Sequence, residues 1–165
     1  MGTCFTSLHS SPMLTLTIQY SEMMRVIESE VVVSNPFGNY SANTIAVWDT
    51  GAISSAISVH LASTLGLLTN VEKRPIMTVQ GISYVDFASV EVKMVHNMPP
   101  IKLNVAIVDS IGTSPDRGIL LGMDLISQGS FAISNKNGKT LFSFMIPTVA
   151  EIDFYELMNR HRRET

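Results

Sequence analysis

One arrangement in this 165-residue chain is suited to chemistry. An apolar run, Ile45-Ala46-Val47-Trp48, delivers Asp49 and is followed at once by Thr50-Gly51-Ala52. A carboxylate that leaves a buried strand is held by the strand behind it. Gly51 has no Cβ, so the chain can turn sharply and a second backbone can come close. Thr50 supplies a hydroxyl that can bond a backbone group, and Ala52 is small. Together they would fix one carboxylate on a rigid, crowded loop, as acid–base catalysis requires. The same triplet also suits a surface turn, so the reading needs a second signal.

Other chemistries find little support. A single cysteine, Cys4, allows no internal disulfide and no four-ligand zinc site. The four histidines are far apart and form no short-spaced ligand pair. No metal and no cofactor are expected. A net charge of -3 argues against a nucleic-acid partner, which would want a basic stripe. No apolar run approaches the ~20 residues of a membrane span, and the start lacks the pattern of a secretory signal. The opening "MGTCFT" fits a loose myristoylation pattern at Gly2, with Cys4 open to palmitoylation. One such signal gives only marginal anchoring, so membrane association is not expected and the compartment is read as cytoplasmic.

The elements around the triplet read as mostly β. Leu14 to Tyr20 alternates strictly, the mark of a half-buried strand. Glu30 to Ser34 is a β-branched run before the turn cluster Asn35 to Asn39. Thr44 to Trp48 is a strand too apolar to have a wet face. Val59 to Leu67 predicts a helix capped by Ser58 and ended at Gly66. Arg74 to Val95 predicts one long hairpin with its tip at Gln80-Gly81-Ile82-Ser83. In "IKLNVAIV", Ile101, Leu103, Val105 and Ile107 share one face. Phe131 to Phe144 predicts a hairpin about Asn137-Gly138, the pair that a type I′ turn prefers. Thr148 to Glu151 forms a capping box for a C-terminal helix. The ten methionines are read as core filler, Trp48 as packing beside the triplet, and Asp124 as a helix cap or start.

The second signal lies some seventy positions after the first. The stretch "GILLGMDLISQGSFAIS" repeats its shape: an apolar strand, a Gly where the backbone must turn, and a short helix. Here the sequence resembles the retropepsin-like aspartic protease family. The resemblance is carried by Val47 to Ala52, by "ISSAIS" leading into a helix, by a hairpin with Gly81 near its tip, and by Leu120-Leu121-Gly122 before a second helix. It covers about residues 30 to 147.

The resemblance implies a single-lobe acid-protease fold, a closed β-barrel with short helices and a C-terminal helix. Asp49 would be the catalytic carboxylate. Thr50 would bond across a dimer to lock the two loops, Gly51 would offer its carbonyl to a bound peptide, and Ala52 would support the loop. Gln80, Gly81 and Ile82 would lie in a flap over substrate. Leu120, Leu121 and Gly122 would form the second-motif turn. One chain holds one triplet, so the site would need two copies in an isologous homodimer acting on peptide or protein substrate. Residues 1–29 would be an N-terminal segment, 30–147 the protease domain and 148–165 the C-terminal helix. The chain departs from the retroviral pattern: Ile53, Ser54 and Met123 stand where an acidic pair and an arginine would form an ion pair. The extended hairpin after Gly129 looks more like cellular and bacterial members. The rival readings are a non-catalytic peptide-binding or dimerisation module with this fold, and an ordinary β-barrel with a chance triplet.

Overall fold

Apolar alternation builds the frame on which Asp49 is mounted. The computed structural model describes residues 13–69, 73–78, 81–94, 99–149 and 151–164. Gly2, Cys4 and Gln80 lie outside the described residues. Strand β1 (Leu14–Gln19) is followed by β2 (Ile27–Ser34) and β3 (Ser41–Trp48), then β4 (Ala56–Ser58) and helix α1 (Val59–Thr64). Next come β5 (Arg74–Thr78), β6 (Gly81–Val85), β7 (Phe87–Lys93), β8 (Ile101–Val108) and β9 (Arg117–Leu121). Helix α2 (Met123–Ile126), β10 (Ser130–Lys136), β11 (Lys139–Ile146) and α3 (Phe154–Glu164) complete the order.

Six strands close a barrel in the order β2-β3-β9-β4-β8-β7, so the fold is mostly β as expected. In β2, Ile27, Val31 and Val33 point inward. In β8, Leu103 and Val105 do the same, as period-two alternation requires. A three-stranded sheet, β1-β11-β10, stands beside the barrel. Its Phe142 and Phe144 pack on Trp48, each with ring centroids 4.9 Å away. Such tilted aromatic pairs add about 0.5–1.5 kcal/mol each beyond burial. The indole N–H of Trp48 donates to Ser29 Oγ at 2.9 Å, so the ring is buried without an orphan donor. Trp48 is therefore a packing residue, and it anchors the end of β3.

Several expectations hold. Ser58 caps α1, its hydroxyl accepting from Leu61 N–H, and Gly66 ends the turn at φ +58. Asn137 and Gly138 turn the last hairpin, both with positive φ.

Others are corrected. Residues 74–95 do not form one hairpin. β5 pairs with β6 alone, whereas β7 enters the barrel between β2 and β8. The cause is burial: Phe87, Ala88, Val90 and Val92 go into the core, whereas Met77, Ile82 and Tyr84 stay exposed. Gly81 and Ile82 consequently begin β6. β3 is not dry on both faces, since Ile45 and Val47 are half-buried and line surface hollows. α3 starts at Phe154, because Asp153, and not Thr148, accepts from the N–H groups of Tyr155 and Glu156. The methionines are not mainly core filler. Met94 is buried, but Met13, Met23, Met77, Met123 and Met158 are exposed.

Candidate active site

Asp49 is placed by the pairing of two strands from distant parts of the chain. β3 and β9 run parallel, with Val47 opposite Leu120 and Trp48 opposite Leu121. The two strands end side by side, so Asp49 and Gly122 leave the barrel together. The Asp49 N–H donates to Leu121 C=O at 3.0 Å, which carries the ladder to the carboxylate itself.

The loop then folds back on its own carboxylate. Gly51 N–H donates to Asp49 Oδ1 at 2.8 Å, and Ala52 N–H to Asp49 C=O at 3.3 Å. Asp49 is half-buried, and Thr50 and Gly51 are exposed. A carboxylate that accepts from a backbone amide keeps one orientation without an ordering cost at each turnover.

The rest of the loop is stitched to the second motif. Met123 N–H donates to Ala52 C=O at 2.8 Å and Asp124 N–H to Ile53 C=O at 3.0 Å. Gly122 is required for this approach: a Cβ there would lie 2.8 Å from Ser54 C and 2.9 Å from Ala52 O. Its backbone is ordinary extended chain, so closeness and not conformation excludes a side chain. Leu120 and Leu121 form the strand end, with Leu121 fully buried. The second-motif residues and the triplet therefore meet.

Two roles were not read from the sequence. Ser55, fully buried, donates its hydroxyl to Asp124 Oδ1 at 2.7 Å and accepts from Gly122 N–H at 3.0 Å. Its own N–H also donates to the Asp124 carboxylate. Asp124 thus stands in the first turn of α2, as a helix start, and also holds the loop; the N-cap is Gly122, with no side-chain bond. The only trace of this in "ISSAIS" is a serine placed where the strand beyond it is buried.

A cleft of about 520 Å³ opens at Asp49. Val47, Leu120, Ile111, Phe131 and Ile133 give it apolar walls, and Arg25 and Arg117 also line it. Arg117 is neutralised, since its Nε donates to Glu28 Oε1 at 2.5 Å. A larger hollow, of about 1020 Å³, lies between β3 and α1 and does not include Asp49. Of the two, the smaller holds the Asp49 carboxylate. Among the described residues no cluster of three or more His, Cys, Asp or Glu could hold a metal ion. No described helix is long and apolar enough to cross a membrane.

No protein-family model matches the chain, and no curated protein matches it in sequence. Solved structures do. A retropepsin-like aspartic protease from Rickettsia conorii is 17% identical, with a TM-score of 0.50 over 84% of this chain and 98% of that one. The EIAV protease, solved with an inhibitor, is 17% identical with a TM-score of 0.47, over 62% of this chain and 86% of that one. With a closed six-stranded barrel, short helices and a C-terminal helix, this chain has the retropepsin-like aspartic protease fold.

Proposed function

We propose that the chain is an aspartic endopeptidase that works as a homodimer, with Asp49 of each subunit at a shared site. The observation that carries this reading is the fixed carboxylate of Asp49, held by Gly51 N–H at the floor of an apolar cleft in a fold that proteases use. Two carboxylates brought close cannot both ionise, the arrangement of the aspartic-protease dyad. The charged one takes a proton from water, whose oxygen attacks the scissile carbonyl carbon. The protonated one donates to the carbonyl oxygen. The C–N bond then breaks and the amine leaves with a proton.

The other site residues take supporting roles. Thr50 bonds across the two-fold axis, Gly51 C=O accepts from the peptide, and Ala52 leaves room for Met123. The substrate lies as an added strand between the loops and the β5–β6 hairpin, with Gln80, Gly81 and Ile82 over it. Two apolar features support a partner here. Ile53, on the loop itself, is 79% exposed, and Ile133 stands exposed on the sheet edge β10. Edges of this kind invite pairing with another chain.

The test uses purified wild type and Asp49→Asn with a peptide library and analytical ultracentrifugation. Wild type should cleave peptides as a dimer. The variant should remain folded and lose about 10³-fold in turnover, the scale of acid–base catalysis. Comparable turnover by the variant, or an active monomer, would refute the assignment.

A further inference from the structure

The cleft at Asp49 holds a cation, Arg25, that no carboxylate among the described residues compensates. Arg117 is paired with Glu28, so its charge is spent. Arg25, in the connection between β1 and β2, lines the same cleft and is exposed. Among the described residues it has no carboxylate within 4.0 Å, Asp49 included.

Beyond Asp49 itself, the loop of a second copy would bring no further acidic side chain toward that charge. After Asp49 the loop runs Thr50, Gly51, Ala52, Ile53, Ser54 and Ser55, with no acidic side chain. The next carboxylate near it, Asp124, already accepts from Ser55 N–H and Oγ. A dimer built through these loops therefore keeps two free guanidinium groups, one on each side of the shared site. Apolar walls from Val47, Ile111, Leu120, Phe131 and Ile133 lower the local dielectric once a peptide expels water and strengthen whatever ion pair forms. A guanidinium at such a position matches a carboxylate fork to fork.

We infer that Arg25 is a specificity-determining residue that selects an acidic side chain in the peptide. This rests on the endopeptidase reading above. The preferred substrate carries large apolar residues beside the scissile bond and a glutamate or aspartate a few residues away. An extended peptide advances about 3.3 Å per residue, and a long arginine can reach one such position on either side. Because a two-fold axis relates the two Arg25 residues, the acidic preference appears at equal distances before and after the bond.

The test uses peptides blocked at both ends, so that the only carboxylate is the side chain under study. Glu and Gln are exchanged at each position along one apolar core. Wild type should favour the best Glu peptide over its Gln twin by about five- to tenfold in kcat/KM, mostly through KM, as expected of a charge-assisted bond at a cleft rim. Arg25→Gln should abolish the preference, bringing kcat/KM on the Glu peptide down to that on its Gln twin. Arg25→Glu should reverse it toward Lys peptides. The same peptides are also titrated, by fluorescence anisotropy, onto Asp49→Asn protein and onto Asp49→Asn carrying Arg25→Gln. Cleavage without charge preference overturns the role of Arg25 and leaves the peptidase standing. Absence of cleavage with Arg25-dependent binding of Glu peptides overturns the peptidase and leaves the acidic selection standing. Absence of both cleavage and binding overturns the two together.

Discussion

The Asp124 carboxylate accepts both the N–H and the hydroxyl of Ser55, a residue 69 positions earlier. Through Ser55 Oγ it also reaches Gly122 N–H. One side chain thereby fixes the end of the Asp49 loop to the turn that closes the second motif. Removing it leaves a fully buried serine with unmatched donors. We expect Asp124→Ala to lose about 1–3 kcal/mol of stability, and Asp124→Asn, which keeps one acceptor, to lose less. Denaturant unfolding of the two variants beside wild type measures this. Equal, negligible losses would mean that the loop is held without Asp124.

Gly122→Ala should be more damaging than its size suggests. The added methyl meets backbone atoms of Ala52 and Ser54, which cannot rotate away as a side chain can. The loop must move, at a cost of about 1–3 kcal/mol, and the Asp49 carboxylate moves with it. Gly138→Ala is the comparison: its φ of +73 is strained for alanine, but open space surrounds it. Stability should fall by about 1 kcal/mol there, with cleavage retained. Loss of cleavage in both variants, or in neither, would contradict this account of Gly122.

The β5–β6 hairpin should open far more readily than the barrel. It forms a two-stranded sheet of its own, with Met77, Ile82 and Tyr84 exposed. Two-stranded ribbons are marginal in water. Near its base, Arg74 stacks on the Phe87 ring at 3.7 Å and Lys73 lies 3.8 Å from Asp86. Amide exchange in β6 should exceed that in β3 by at least ~100-fold in the absence of peptide, and slow when peptide binds. Similar rates in both strands would rule out a flap.

Alkaline pH should loosen the join between β1 and β2. Burial pushes the Tyr20 phenol above its ordinary value, and the nearby Glu28 charge adds to this, against the opposing effect of the hydrogen bond to Glu28 C=O. A raised folded-state value means that the stabilisation is fully present below the unfolded value of about 10 and is lost as pH rises through the folded one. The melting temperature of wild type should therefore fall above pH ~10. Tyr20→Phe should start lower and fall less steeply. Parallel curves would show that Tyr20 does not contribute.

Strand content and the order of most elements were legible because local patterns carry them. Alternation marks β1 and β8, a β-branched run marks β2, and Asn137-Gly138 marks a turn whatever surrounds it. The partition at Asp86 was not legible. Residues 81–85 and 87–93 both alternate, and only the barrel decides which of them is buried. The role of Asp124 was hidden for a related reason. Aspartate at a helix start satisfies a local rule, whereas its partner Ser55 is brought to it by long-range pairing of β9 with both β3 and β4. The start of α3 was misplaced because Thr148 and Asp153 both suit a cap, and the choice lay in backbone geometry.

The pairing of β1 with β11 sets Leu14 opposite Ile146 and Gln19 opposite Leu141. Among the described residues β1 has no other strand partner, so its edge groups stay unmatched until β11 exists. On the ribosome, β1 thus emerges long before the strand that satisfies it. The barrel core can assemble from β2 onward as those strands appear, but the sheet beneath Trp48 closes only after the final hairpin is released. Sequence separations of this size slow folding and prolong exposure of an open edge. The nascent chain is then most vulnerable to aberrant pairing through β1, in the interval before β11 emerges.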